Sequence, residues 1–464
     1  MSKYETYREQ YPVFRYIKYE LEEDDAQVCL QYFFEIPGLS EFTPRWVFPK
    51  ALGDQSRYGE NKTFRQMAFS LGMVELVSYW KIACPPNVLV EAGTLDEKQI
   101  AWWKNLYYNG LGEFFYTNQI DPDPETFMTI RSLGVWESGE EMPLAEPKGC
   151  LIPVGGGKDS AVTIELLKQF SEPSCCYIIN PRGATVHTTE AGGYRKEQVV
   201  SVKRTLDRRM IDLNRQGFLN GHTPFSAIVA FSSVMAAYMR NLHYVVLSNE
   251  SSANESTVPG STVNHQYSKS FQFEWDFHQY EKEYIRSGVY YFSMLRPLSE
   301  FQIARYFAGC RAYHDIFRSC NVGSKEDIWC GHCPKCLFVC FILSPFLPQS
   351  RIREIFGRDM LEDETLAGTM EKLTGIQEEK PFECVGSRGE VNTAICLAIA
   401  AIESAGEKLP ALLEQYKKTK LYEEYRHLGD TYSQGYDREN LLPEAFDVIL
   451  RRNCVVPPLC AEEH

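Results

Sequence analysis

The chain has 464 residues, 44% hydrophobic and 24% charged, which suits a globular protein of two or three packed domains. An aromatic share of 13%, with 27 Tyr and 27 Phe, excludes a disordered chain. A net charge of −14 with no long basic run excludes a general nucleic-acid binder, although a local basic patch for a small anionic ligand stays open.

The N-terminus, Met1-Ser2-Lys3-Tyr4-Glu5-Thr6-Tyr7-Arg8, is polar and lacks the apolar core of a signal peptide. No apolar run approaches the roughly 18 residues of a membrane span, so no membrane partner is expected. With no secretion signal, the 15 Cys read as reduced thiols or metal ligands, and the expected location is the cytoplasm. Residues 1–147 read as an N-terminal α/β domain. Residues 26–36 are strand-like, 63–83 and 96–108 carry helical spacing, and 120–124 form a turn or helix start. The region holds no chemical motif, and its aromatics are expected to pack against the next domain in preference to contacting substrate.

Residues 148–345 alternate apolar strands and helices. Strands are expected at 150–154, 175–180, 244–249 and 290–295, with a helix over 160–170. Thr223 followed by Pro224 marks the start of a helix reaching residue 240, with Thr as the cap. This alternation predicts a parallel sheet covered on both faces. Residues 346–464 read as a helical domain, with helices over 392–404 and 409–425.

Between the first of these strands and its helix lies Gly155-Gly156-Gly157-Lys158-Asp159-Ser160. Glycines let a backbone approach phosphate oxygens, and a helix start offers unpaired amides and partial positive charge. Lys158 adds a full charge and Ser160 a hydroxyl. The segment lacks the Gly-x4-Gly-Lys-Ser/Thr spacing of kinases and GTPases. After the second strand come Asn180 and Arg182, and Arg182 suits a phosphate or a substrate carboxylate.

The stretch from Ser248 to Thr257 follows the third strand on the same sheet edge as the glycine loop. Its Glu250 and Glu255 suit magnesium or a general base; Asn249 and Asn254 suit a peptide-like or carboxylate substrate. His265 is the natural proton-transfer residue beyond it, followed by Ser268 and Lys269. Further on, Cys330, Cys333 and Cys336 sit at two-residue gaps with Cys320 upstream, a set that suits structural zinc, with His332 or Cys340 as replacements for one ligand. The apolar run after them then reads as a buried helix.

The glycine loop resembles the Ser-Gly-Gly-x-Asp-Ser loop of the PP-loop ATP pyrophosphatases, with Gly155 where that superfamily usually has Ser. The cysteine array is similar to that of the 7-cyano-7-deazaguanine synthases, PP-loop enzymes that bind zinc there. One combination narrows the resemblance: residues 155–160, Ser248 to Glu255, Tyr267-Ser268-Lys269-Ser270, Cys330 to Cys336, and Lys380 to Gly386. Together these resemble the UDP-N-acetylmuramoyl-L-alanyl-L-glutamate epimerases, the MurL family. That resemblance implies a PP-loop sheet and an ATP- and Mg²⁺-dependent inversion of the terminal L-Glu of a UDP-linked muramoyl dipeptide, through an adenylated carboxylate. It places the loop 155–160, Asn180 and Arg182 at ATP; the catalytic candidates read from the loops are Lys158, Asp159, Glu250 and His265. Asn249, Asn254, Glu255, Ser268 and Lys269 then face the substrate. The base stays open among His265, Glu250, Glu255, Cys333, Glu383 and Cys384. The competing readings are another PP-loop enzyme, such as an amidating ligase or a deazaguanine-type synthase, and a silent nucleotide-binding protein.

Overall fold

In Val-Phe-Arg-Tyr-Ile-Lys-Tyr-Glu-Leu, from residue 13, apolar and polar side chains begin to alternate. That period of two buries Phe14 and Tyr16 on one face of a strand. The computed structural model describes residues 2–135, 140–254, 267–320, 322–378, 381, 383 and 385–456. Its strands are β1 (Val13–Glu23), β2 (Gln27–Ile36), β3 (Ser40–Phe42), β4 (Arg45–Pro49), β5 (Asn87–Val90), β6 (Thr129–Ser132), β7 (Cys150–Pro153), β8 (Ser174–Ile179), β9 (Val199–Thr205), β10 (Tyr244–Leu247) and β11 (Tyr290–Ser293).

These strands form one mixed sheet, ordered β11-β10-β7-β8-β9-β4-β2-β1-β5-β6, with β3 paired to β2. From β11 to β9 every pairing is parallel. β9 then pairs antiparallel with β4, so the sheet continues into the first 147 residues. β4, β2 and β1 are antiparallel, and β5 and β6 return to parallel. The architecture is α/β, with helices from Pro334–Leu343 to Glu444–Cys454 making the C-terminal region helical.

The parallel strands are apolar on both faces, and successive residues feed two different cores. Leu151, Tyr177, Val245 and Tyr291 join the core of the first 130 residues and the helix Phe225–Met239. Their neighbours Cys150, Ile152, Cys176, Ile178, Val246 and Phe292 join the core of the C-terminal helices. The N-terminal aromatics pack as expected. Trp103 stacks on Phe231 at 5.1 Å between centroids, and its indole N–H donates to the Tyr280 hydroxyl at 3.2 Å.

Two local expectations are corrected. Thr223 does not cap its helix; Pro224 occupies the N-cap position, the helix is Phe225–Met239, and no side chain caps it. The helix expected over 409–425 is two, Ala411–Lys417 and Lys420–Tyr425, because the Thr419 hydroxyl accepts from the Tyr422 amide and restarts the chain. Among the described residues, no helix is long and apolar enough to cross a membrane.

Candidate active site

The chain leaves β7, builds β8 and β9 outward on one side, then crosses back to place β10 on the other side of β7. The loops after β7 and β10 therefore diverge at the carboxyl edge of the sheet, where α/β proteins open a ligand crevice. A cavity of about 440 Å³ lies there. Its lining includes Gly155, Gly157, Asp159, Ser160, Asn180, Arg182, Asn249 and Lys269, eight of the residues singled out in the sequence. Tyr177, Phe225, Val229 and Leu247 give it an apolar wall, the surface a flat aromatic ligand needs.

Each glycine of the loop meets different surroundings. Gly156 has φ +82°, and a Cβ there would lie 3.0 Å from the backbone at Ala184 and Thr185. A Cβ on Gly157 would lie 2.8 Å from Ser319 Oγ, whereas one on Gly155 would meet nothing within 4 Å. The Arg318 amide ties down the loop by donating to the Gly156 carbonyl at 2.7 Å. Helix Lys158–Leu167 starts at Gly157 with no side-chain cap, so its first amides have no intrahelical partner at the cavity edge. The Ser160 hydroxyl donates to the Gly157 carbonyl at 3.0 Å.

Lys158 is fully buried and outside the cavity lining; its ammonium contacts both Asp159 and Glu300. Oxygens of Asp159, Glu250 and Glu300 lie within 4.8 Å of one another. Burial opposes charge on Asp159, but Lys158 and then Lys335 outweigh it and hold this carboxyl below its ordinary range. Burial raises Glu300 to about 7, against the pull of Lys158. The cluster carries three carboxylates against one ammonium in contact, and its hard oxygen donors fit a divalent cation such as magnesium.

A buried guanidinium organises the loops on either side of residues 255–266. Arg296 pairs with Glu274 at 3.0 Å, donates to the Glu250 carbonyl at 2.7 Å, and contacts the Lys269 carbonyl. Asn249 donates to Ser293 Oγ at 3.1 Å, and Ser268 is buried beside Lys269 without lining the cavity. Asn180 is latched to β9 through Arg204, accepting from its amide at 2.9 Å and donating to its carbonyl at 2.8 Å. Glu255, His265 and Cys384 lie outside the described residues, as does the Asn254 side chain.

The four cysteines converge. Sγ separations are 3.9 Å for Cys320–Cys333, 3.8 Å for Cys330–Cys336 and 3.5 Å for Cys333–Cys336. Four thiolates about 2.3 Å from one zinc sit about 3.8 Å apart, so the set fits a tetrahedral metal. Amides support the sulfurs, with Gly323 donating to Cys320 at 3.1 Å and Cys333 to Cys330 at 3.4 Å. His332 instead faces Arg358 at 3.0 Å, and Cys340 lies outside the cluster in the buried helix Pro334–Leu343. Glu383 caps that helix by accepting from the Lys335 amide at 2.9 Å.

Sequence reasoning missed Glu300, Arg318, Ser319 and Lys335. Glu300 follows the ordinary helix cap Ser299, and nothing local marks it as part of an acidic cluster. Ser319 and Lys335 did have a signal, since each adjoins a cysteine of the metal-type array.

Fold and site together define an α/β protein with a ligand crevice at the switch point of its parallel strands and a four-cysteine centre beside it. A family model for the MurL N-terminal domain matches residues 5–294, and one for the MurL C-terminal domain matches residues 315–426. The chain is 36% identical over 407 residues to the UDP-N-acetyl-alpha-D-muramoyl-L-alanyl-L-glutamate epimerase of Xanthomonas oryzae pv. oryzae, covering 85% of this chain and 88% of the relative. Epimerases of the same name from a Micromonospora species and Salinispora tropica are 36% and 35% identical, covering 70% of this chain and 73% and 72% of theirs. No solved structure matches the chain at a significant level. The chain belongs to the MurL family of epimerases.

Proposed function

We propose that the chain inverts the terminal L-Glu of UDP-N-acetylmuramoyl-L-Ala-L-Glu to D-Glu at this crevice, consuming ATP and forming AMP and pyrophosphate in cell-wall precursor synthesis. The observation that carries the reading is the glycine loop at the switch point, lining a cavity with an apolar wall, with an acidic cluster behind it that enters the lining through Asp159, in a chain of this family. The loop is read as the PP-loop of an ATP pyrophosphatase. A free carboxylate leaves its α-proton very weakly acidic, because the carbanion would carry a second negative charge. In the proposed route a carboxylate oxygen attacks the α-phosphorus of ATP and pyrophosphate leaves. The resulting acyl adenylate can delocalise the carbanion as an enolate, so removal of the proton and its return to the other face invert the centre. Hydrolysis of the adenylate then releases AMP.

The uncapped amides at the start of helix Lys158–Leu167 would hold phosphate oxygens, with Arg182 and Lys269 adding charge. Tyr177, Phe225 and Val229 would take the adenine face. Asp159, Glu250 and Glu300 would hold magnesium, which when bound neutralises phosphate charge. Cys320, Cys330, Cys333 and Cys336 would hold zinc as a cross-link between two loops. Asn249, Asn254, Glu255 and Ser268 are read as substrate-side residues, and His265 as the proton-transfer group.

Incubation with ATP, Mg²⁺ and the L-Glu substrate in D₂O is expected to give D-Glu carrying α-deuterium, with AMP and pyrophosphate. Recovery of only L-Glu with no deuterium would overturn the reading, and an ammonia-dependent product mass would favour an amidating enzyme.

A further inference from the structure

The lysine of the glycine loop is turned away from the cavity. Lys158 lies buried against Asp159 and Glu300 and does not line the space where phosphates would sit. A triphosphate needs cations close to it, and the cavity's basic lining residues are Arg182, Lys269, Arg318 and Lys335. Arg318 directs its guanidinium at the carbonyls of Asp315, Phe317 and Asp327, at 3.0, 2.7 and 3.0 Å. Arg182 is exposed at the rim.

Lys335 differs from Lys158 in lining the cavity, although its charge also acts on Asp159 and Glu300. It lies between Cys333 and Cys336, in the first turn of a helix that Pro334 opens. Its amide donates to Glu383, its ammonium lies 5.1 Å from the Phe338 ring centroid, and the residue is 8% exposed. A long side chain ordinarily loses much rotamer freedom when it meets an anion, and a stem already packed and anchored at both flanks lowers that cost. The four-cysteine cluster thus holds the chain on both sides of a lysine that lines the cavity.

We propose that Lys335 is a phosphate-binding residue, its ammonium contacting the polyphosphate of the bound nucleotide in the role that the position of Lys158 in the loop suggests. This rests on the reading of the cavity as a nucleotide site. The cysteine centre then has a second consequence beyond cross-linking, since it aims a cation at the substrate.

The test compares binding of α,β-methylene ATP and of adenosine to the full chain by calorimetry. Lys335→Ala is expected to weaken the ATP analogue by about tenfold or more, the scale of a lost charged hydrogen bond. Adenosine, which has no phosphate, should change by less than about twofold, and Lys335→Arg should recover part of the analogue's affinity. Zinc content and thermal midpoint should match those of the parent, showing that the helix start is intact. Equal weakening of both ligands would assign Lys335 to packing and overturn the proposal, as would unchanged affinity for the analogue. If the parent binds neither ligand, the nucleotide reading itself falls and the proposal with it.

Discussion

Two adjacent glycines have different reasons to be glycine. Gly156 adopts φ +82° with the neighbouring chain 3.0 Å from where a Cβ would sit, so Gly156→Ala is strained in both dihedral and contact. It should lower stability by about 1–3 kcal/mol, read as a shift in urea midpoint. Gly155 faces open space, so the serine usual in the PP-loop superfamily would fit. Gly155→Ser should therefore keep the parent's urea midpoint and bind the ATP analogue at least as tightly. A midpoint loss as large as that of Gly156→Ala would show that position 155 is conformationally constrained after all. His265 gives a sharper test of the chemistry. In the proposed role of proton-transfer group it would act after adenylation, so His265→Gln should still release AMP and pyrophosphate while losing α-deuterium incorporation. Loss of both half-reactions together would instead place His265 at ATP or substrate binding. The glycine loop and the cysteine array were legible because their chemistry depends on short spacing. Glu300 was not, since it reaches Asp159 and Glu250 only through the fold.

Strands β7, β8 and β10 were legible because both of their faces are buried, leaving short uninterrupted apolar runs. β9 was not. Its Val-Val-Ser-Val-Lys-Arg-Thr buries only alternate residues, and the polar positions look like loop until its partner β4 is known. That pairing carries a buried charge. Arg204 on β9 grips Glu75 of helix Lys62–Trp80 with two bonds of 2.9 and 2.8 Å, and the Trp46 indole on β4 donates to the same carboxylate at 3.2 Å. Glu75 is completely buried, so Glu75→Ala strands a guanidinium and should cost about 3–5 kcal/mol in urea unfolding. The double replacement Glu75→Met, Arg204→Met should recover most of that loss, because no unpaired charge remains. A single replacement costing less than about 1 kcal/mol would show that water reaches Arg204 and that the pair contributes little to joining β4 and β9.

Residue by residue, the parallel strands divide their side chains between two cores, and this sets how the whole molecule holds together. Leu151, Tyr177, Val200 and Val245 face a core whose other members come largely from the first 130 residues. Cys150, Ile152, Cys176 and Val246 face the helices that follow residue 300. Cutting the chain after residue 147 would expose the first face and remove β4 from the edge of β9. Cutting after residue 345 would strip the second face of the helices Arg388–Ser404 and Glu444–Cys454. We therefore expect fragments 148–464 and 1–345 to lack a cooperative unfolding transition. In the full chain, Trp fluorescence and far-UV circular dichroism should report coincident urea transitions. A folded 148–464 fragment, or two separated transitions in the full chain, would show that the shared sheet does not couple its two layers. The crevice takes its walls from both layers. Phe225 and Val229 come from the helix on the first face, while Ser319 and Lys335 flank the cysteine centre on the second. Mixing the fragments 1–147 and 148–464 should therefore restore binding of the ATP analogue only to the extent that it restores the β4–β9 pairing.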